Sequence, residues 1–185
     1  MDPELKQLVR AIDRGSPKGK RDYAIILIAC RLGLRCTDIK NLCFENFNWT
    51  EKKLCFTQSK TGQPMELPLV PDVGWAVIDY LKYGRPKVDS SRIFVRHTAP
   101  FLPFAEGDHL DQLIRAYMVK AHIPMRGKHR GMHSLRHTMA SVLLEKDTLS
   151  RSFLISSDTW TRIPPPYISR WIWNGWRNAP WTLRR

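Results

Sequence analysis

Apolar positions near the start recur as Leu5, Leu8, Val9 and Ile12, the spacing of an amphipathic helix, with Asp2 placed to cap it and Pro3 in its first turn. RGSPKGKRD interrupts that period, and DYAIILIACRLGL resumes it with an apolar run broad enough for a buried helix ending near Gly33. Thr37-Asp38 can cap a further helix through Leu42. The stretch NFNWTEKKLCFTQSKTGQPMELPLVP switches to short runs of strand character, with Thr61-Gly62 as the hairpin turn between LCFTQ and MELPL. PDVGWAVIDYLKYGR predicts a helix opened by Pro71 and Asp72, and RIFV, from Arg92, a short strand or an extended segment. HLDQLIRAYMVKAHI and MHSLRHTMASVLLEK predict two more helices, after which the periodicity stops at Thr148. The pattern describes an α+β domain, mainly α, with a small antiparallel β-hairpin layer.

The 185 residues suffice for one domain with a sizeable core, so the division expected is a body over 1–148 and a tail over 149–185. A net charge of +13 favours a polyanionic partner, because clustered Lys and Arg neutralise phosphates and release counterions. Six Arg and one Asp in the tail supply +5 of that charge, which leaves +8 on a body basic in its own right. Five of the seven tryptophans (160, 171, 173, 176 and 181) also lie in the tail. Cys30, Cys36, Cys43 and Cys55 lack the paired short spacings of zinc sites and are read as free buried thiols of a cytoplasmic protein. The longest apolar stretch, AIILIAC, is far shorter than a membrane span, and no targeting sequence is visible.

Three basic clusters carry candidate chemistry. Gly33-Leu34-Arg35-Cys36-Thr37-Asp38 puts an Arg at a helix start, where backbone amides favour an anion. Ser59-Lys60-Thr61-Gly62 puts an ammonium at a hairpin tip. His133-Ser134-Leu135-Arg136 sets imidazole and guanidinium on one helix face at i and i+3. Singly, each reads as a solvated, capping or core residue.

In this order and on these elements, the combination resembles the tyrosine recombinases, the phage integrase family, over roughly residues 4–148. KGKRDYAIILIACRLGLRCTDIKNL is similar to the family's first arginine segment, SKTGQPMELPL to its hairpin lysine segment, and MHSLRHTMASVLL to its His-x-x-Arg helix. The resemblance implies the family's catalytic-domain fold, double-stranded DNA as partner, and no metal or nucleotide cofactor. It also assigns roles. Arg35 and Arg136 would clamp the non-bridging oxygens of a phosphodiester attacked by a tyrosine hydroxyl, Lys60 would protonate the departing 5′ oxygen, and His133 would assist proton transfer at the nucleophile. Arg130, with Lys128 and Arg126, is expected either to face backbone phosphate or to lie in a solvated loop, while His97 and His137 are read as structural.

The family's spacing asks for a His or Trp about 23 residues after Arg136 and a nucleophilic Tyr about nine further on, and finds Thr159 and Ile168. Tyr167 is the tail's single tyrosine and hence the local candidate nucleophile, yet Pro164 to Pro166 before it forbid a regular helix there. A tail read one base out of frame accounts for this. One base earlier, permitted codons restore a histidine opposite Thr159 and a tyrosine opposite Ile168, and Trp followed by Thr, Ile or Asn must become Asp or Glu. The alternative is a divergent tail whose tryptophans stack on nucleic-acid bases.

Residues 149–185 are therefore expected to be aberrant and poorly ordered, on a catalytic domain lacking the N-terminal clamp of its relatives. The expected activity is that of a site-specific recombinase domain with its nucleophile lost or displaced. A non-catalytic DNA-binding relic or regulator is the second reading, and a type IB topoisomerase the third. Synapsis in intact relatives is tetrameric, whereas this chain is expected to be monomeric.

Overall fold

The structure, a computed structural model, describes residues 3–124. Helix α1 (Pro3–Arg10) is the short amphipathic helix the period predicts. Helix α2 (Pro17–Leu32) begins earlier than the apolar run, because the interrupting segment contains its start signal. Ser16 is the N-cap, its Oγ accepting from the Gly19 N–H at 3.1 Å, and Pro17 follows at the first helical position. A Cβ at Gly19 would meet the Asp13 carbonyl oxygen at 1.7 Å, so this tight entry admits only glycine. Gly33 closes the helix in the left-handed region (φ 63°), its N–H donating to the Ala29 carbonyl.

A six-residue helix, α3 (Cys36–Asn41), follows, then a 3-10 turn over Phe44–Asn46. Strands β1 (Phe47–Asn48), β2 (Lys53–Thr57) and β3 (Pro64–Pro68) form an antiparallel sheet in the order β1-β2-β3, one short strand more than a hairpin. Phe47 pairs with Leu54 and Leu54 with Leu67, which sets three buried apolar side chains across the inner face. Helix α4 (Pro71–Tyr83) has Val70 as its N-cap. Asp72 lies in its first turn as expected, with Oδ1 accepting from the Val73 N–H at 2.9 Å, and its Oδ2 also binds Arg31 of α2, 2.7 Å from Nε. Residues 92–95 form an extended segment held by isolated bridges from Arg92 to Cys43 and from Val95 to Pro103, with Ile93 to Val95 fully buried. Helix α5 (Asp111–Lys120) completes the described part.

The core lies between α2 and α4. Ala24 to Cys30 is buried as a continuous run, and Tyr80 of α4 stacks on Phe94 at 5.6 Å between ring centroids. The expectation of buried thiols holds only for Cys30; Cys36 and Cys43 are half-buried and Cys55 is exposed, and all four are free. Cys55 sits at an outward position of β2, where strand alternation turns it to solvent. Among the described residues no helix is long and apolar enough to cross a membrane.

Candidate functional site

The left-handed turn at Gly33 and the buried Leu34 deliver Arg35 in extended conformation (φ −71°, ψ 153°) to the start of α3. Arg35, Asp38 and Asn41 recur every third residue and so share one face of this short helix. That face grips the β2–β3 turn. Arg35 Nη1 donates to Gln58 Oε1 at 3.2 Å, Asp38 Oδ1 accepts from the Ser59 N–H at 2.8 Å, and Asn41 Nδ2 donates to Ser59 Oγ at 3.1 Å. Asp38 was expected to cap its own helix with Thr37. Arg35 occupies the N-cap position without a side-chain cap bond, and the nearly buried Asp38 carboxylate is spent on the hairpin, whose amide would otherwise be left unpaired.

The turn is closed by two backbone bonds, Gln58 N–H to the Gln63 carbonyl and Gly62 N–H to the Gln58 carbonyl, both 2.9 Å. Gly62 takes a φ of 66°, the backbone state for which glycine is suited. Thr61 Oγ1 donates to Gln58 Oε1 at 2.7 Å, so one amide oxygen receives both the guanidinium and the turn hydroxyl. Lys60 lies exposed between the two ends of this linkage. The structure thus brings together two of the three predicted clusters through Gln58, which is 5% exposed.

Gln58 and the linking role of Asp38 were not singled out from the sequence. A signal for Gln58 existed: period-2 alternation puts it on the face of Leu54 and Phe56, so a polar residue stands where the strand turns inward. His133, Arg136, Arg130 and Tyr167 lie outside the described residues, as do Arg126, Lys128 and His137.

The opposite side of α3 is fastened by Lys40. Its buried Nζ donates to the carbonyls of Ala105, Glu106 and Asp108 at 3.0, 2.8 and 2.9 Å, which uses all three ammonium protons. Asp108 in turn holds Arg96 at 2.6 Å and the Ala105 N–H at 2.7 Å. Partial burial raises its carboxyl pKa, but the bonds from Arg96 and Ala105 outweigh that and hold it below the ordinary carboxylate value. Beside Arg35, burial pushes the Cys36 thiol up, which keeps it protonated and unfit as a nucleophile. Among the described residues no cluster of metal-ligating side chains is present. The assembled corner sets the Arg35 guanidinium beside the turn that carries Lys60, on a helix-to-hairpin junction locked from two sides.

Comparison with known proteins leads to one family. The chain is 37% identical over 141 residues to "Putative integrase/recombinase y4rA" of Sinorhizobium fredii, a match covering 76% of this chain and 34% of that protein. It is 37% identical over 137 residues to "Putative integrase/recombinase y4gC" of the same organism, covering 74% and 69%. The chain thus spans about a third of the first relative and about two thirds of the second. The fold is that of the tyrosine recombinase catalytic domain. It matches the lambda integrase catalytic core with a TM-score of 0.54 at 18% identity over 77% of this chain and 84% of that one. It also matches the XerH site-specific recombinase, solved bound to its difH substrate as a pre-cleavage complex, with a TM-score of 0.63 at 17% identity over 80% and 43%. The model of the phage integrase family matches residues 2–151, and the chain belongs to that family.

Proposed function

We propose that residues 1–148 are the catalytic domain of a site-specific DNA recombinase, which binds double-stranded DNA and, in intact relatives, cuts and rejoins strands through a 3′-phosphotyrosine intermediate. The observation that carries this reading is the gathering of Arg35 and the Lys60 turn on one corner by Gln58, Asp38 and Asn41. That XerH was solved on its DNA substrate supports DNA as the partner. In the reaction, a tyrosine oxygen attacks phosphorus and the bond to the 5′ oxygen breaks. Arg35 and Arg136 stabilise charge on the non-bridging oxygens, Lys60 delivers the proton to the leaving oxygen, and His133 handles that of the nucleophile. Energy stays in the phosphotyrosine, so neither metal nor nucleotide cofactor is needed.

A second reading, a DNA-binding relic or regulator without cleavage, is favoured by Thr159 and Ile168 at the positions where the spacing calls for a His or Trp and a Tyr. A nicked suicide duplex separates the two. Salt-dependent binding without a covalent adduct is the outcome for this chain; efficient trapping that Tyr167→Phe abolishes would make Tyr167 the nucleophile and overturn the second reading. The tail, 149–185, is proposed to be an out-of-frame ending, a reading that rests on Thr159 and Ile168 standing where the spacing calls for a His or Trp and a Tyr. Codons incompatible with a restored His and Tyr would refute that. The chain is proposed to be cytoplasmic and monomeric, and sedimentation with and without DNA tests the latter.

A further inference from the structure

We propose that Gln58 is a positioning residue for this phosphate grip, setting Arg35 against the Lys60 turn through a neutral acceptor that leaves the guanidinium its full charge; the inference rests on the DNA-binding reading above. An amide oxygen has two lone pairs, and both are used here, by Arg35 Nη1 at 3.2 Å and Thr61 Oγ1 at 2.7 Å. The backbone of the same residue closes the turn at both of its hydrogen-bonding groups. One residue therefore ties the position of Arg35 to the shape of the loop presenting Lys60.

The amide suits this task better than its neighbours in size. A glutamate has the same reach, but its carboxylate would pair with the guanidinium and compete with a DNA phosphate for it. A leucine would fill the volume and leave Arg35 and Thr61 without their acceptor. Among the described residues, the Arg35 side chain hydrogen-bonds to Gln58, which carries no charge.

The test uses the full chain as wild type, Q58E and Q58L, each with and without R35A, all checked to be folded at the assay temperature by a cooperative melting transition. Q58L should speed tryptic cleavage after Lys60 about fivefold, and R35A should add little to it, because both break the same linkage. Q58E should weaken binding of a labelled duplex about tenfold, and less than about twofold when Arg35 is already absent. DNA phosphate beside the new carboxyl favours its protonated form, so Q58E binding should recover as the pH falls from about 7.5 to about 5.5, a profile that a merely structural defect would not give. Unchanged cleavage in Q58L overturns the proposal. So does equal weakening by Q58E in both backgrounds, since that is general repulsion of DNA by an added charge. Binding indifferent to R35A would instead overturn the DNA reading of the site, while the cleavage experiment by itself upholds or overturns the hold of Gln58 on the turn.

Discussion

The two ends of α2 each present an arginine, and their surroundings differ in kind. At the N-terminal end Arg21 is buried and its charge is answered in place. Nε and Nη2 contact Asp22 Oδ1 at 2.8 and 2.6 Å, Nη1 donates to the Val95 carbonyl at 3.1 Å, and Tyr117 donates to the other Asp22 oxygen at 2.9 Å. Past the C-terminal end, Arg35 is half-buried and meets only a neutral amide among its described partners. The first arrangement is complete without a ligand. Among the described residues the second is oriented but not neutralised, which is what a group awaiting an anion requires. Both arginines are held by hydrogen bonds, so what distinguishes the one proposed to bind a ligand is whether its charge is met among the described residues.

The strongest way to break this comparison is to remove the answering charge at the closed end. Asp22→Ala strands the Arg21 guanidinium in the interior and should cost about 3–5 kcal/mol in urea unfolding. Arg35→Ala should cost about 1 kcal/mol or less by the same measurement, while lowering duplex affinity about tenfold. Equal stability losses at the two ends would erase the distinction. Tyr117→Phe, which deletes one hydrogen bond to Asp22 and leaves the ion pair, should cost about 1 kcal/mol.

A smaller effect concerns His97, which packs on Tyr80 close to Arg21. Burial, and then the Arg21 charge, lower its pKa, and its Nε2 is buried without a partner among the described residues. The unfolded chain therefore takes up the proton first. The stability contributed by the neutral ring is complete above the ordinary histidine value of about 6.5, declines below it, and is lost as the pH falls through the folded value. His97→Gln should flatten that slope in unfolding experiments across this range. The smallest effect is chemical. Burial pushes the Cys30 thiol up to about 12, so a maleimide at neutral pH should label exposed Cys55 first and Cys30 last, read by peptide mass.

Much of the corner could be read in advance because its signals are local. Gly33 as terminator, Arg35 at the next helix start and Thr61-Gly62 as the turn each depend on a few neighbouring residues and their backbone preferences. Pairings across the chain were not visible in this way. Asp38 looked like a cap because caps are the commonest use of an Asp near a helix start, but here the partner is the Ser59 amide, 21 residues away. No local signal marks Lys40, which three carbonyls from residues 105–108 bring inside. The start of α2 was legible and passed over, since Ser16-Pro17 is a start signal and the apolar run drew the boundary later.

The sequence by itself determined the mainly helical α+β class, the order of elements, the basic character and the three clusters in their order, because period, turn chemistry and charge are carried by neighbouring residues. Only the tertiary structure decided that Gln58 joins Arg35 to the Lys60 turn and that, among the described residues, Arg21 is internally neutralised while Arg35 is not. The reason is physical: the state of a charge depends on which groups lie within a few ångströms, and chain folding, not sequence proximity, chooses them.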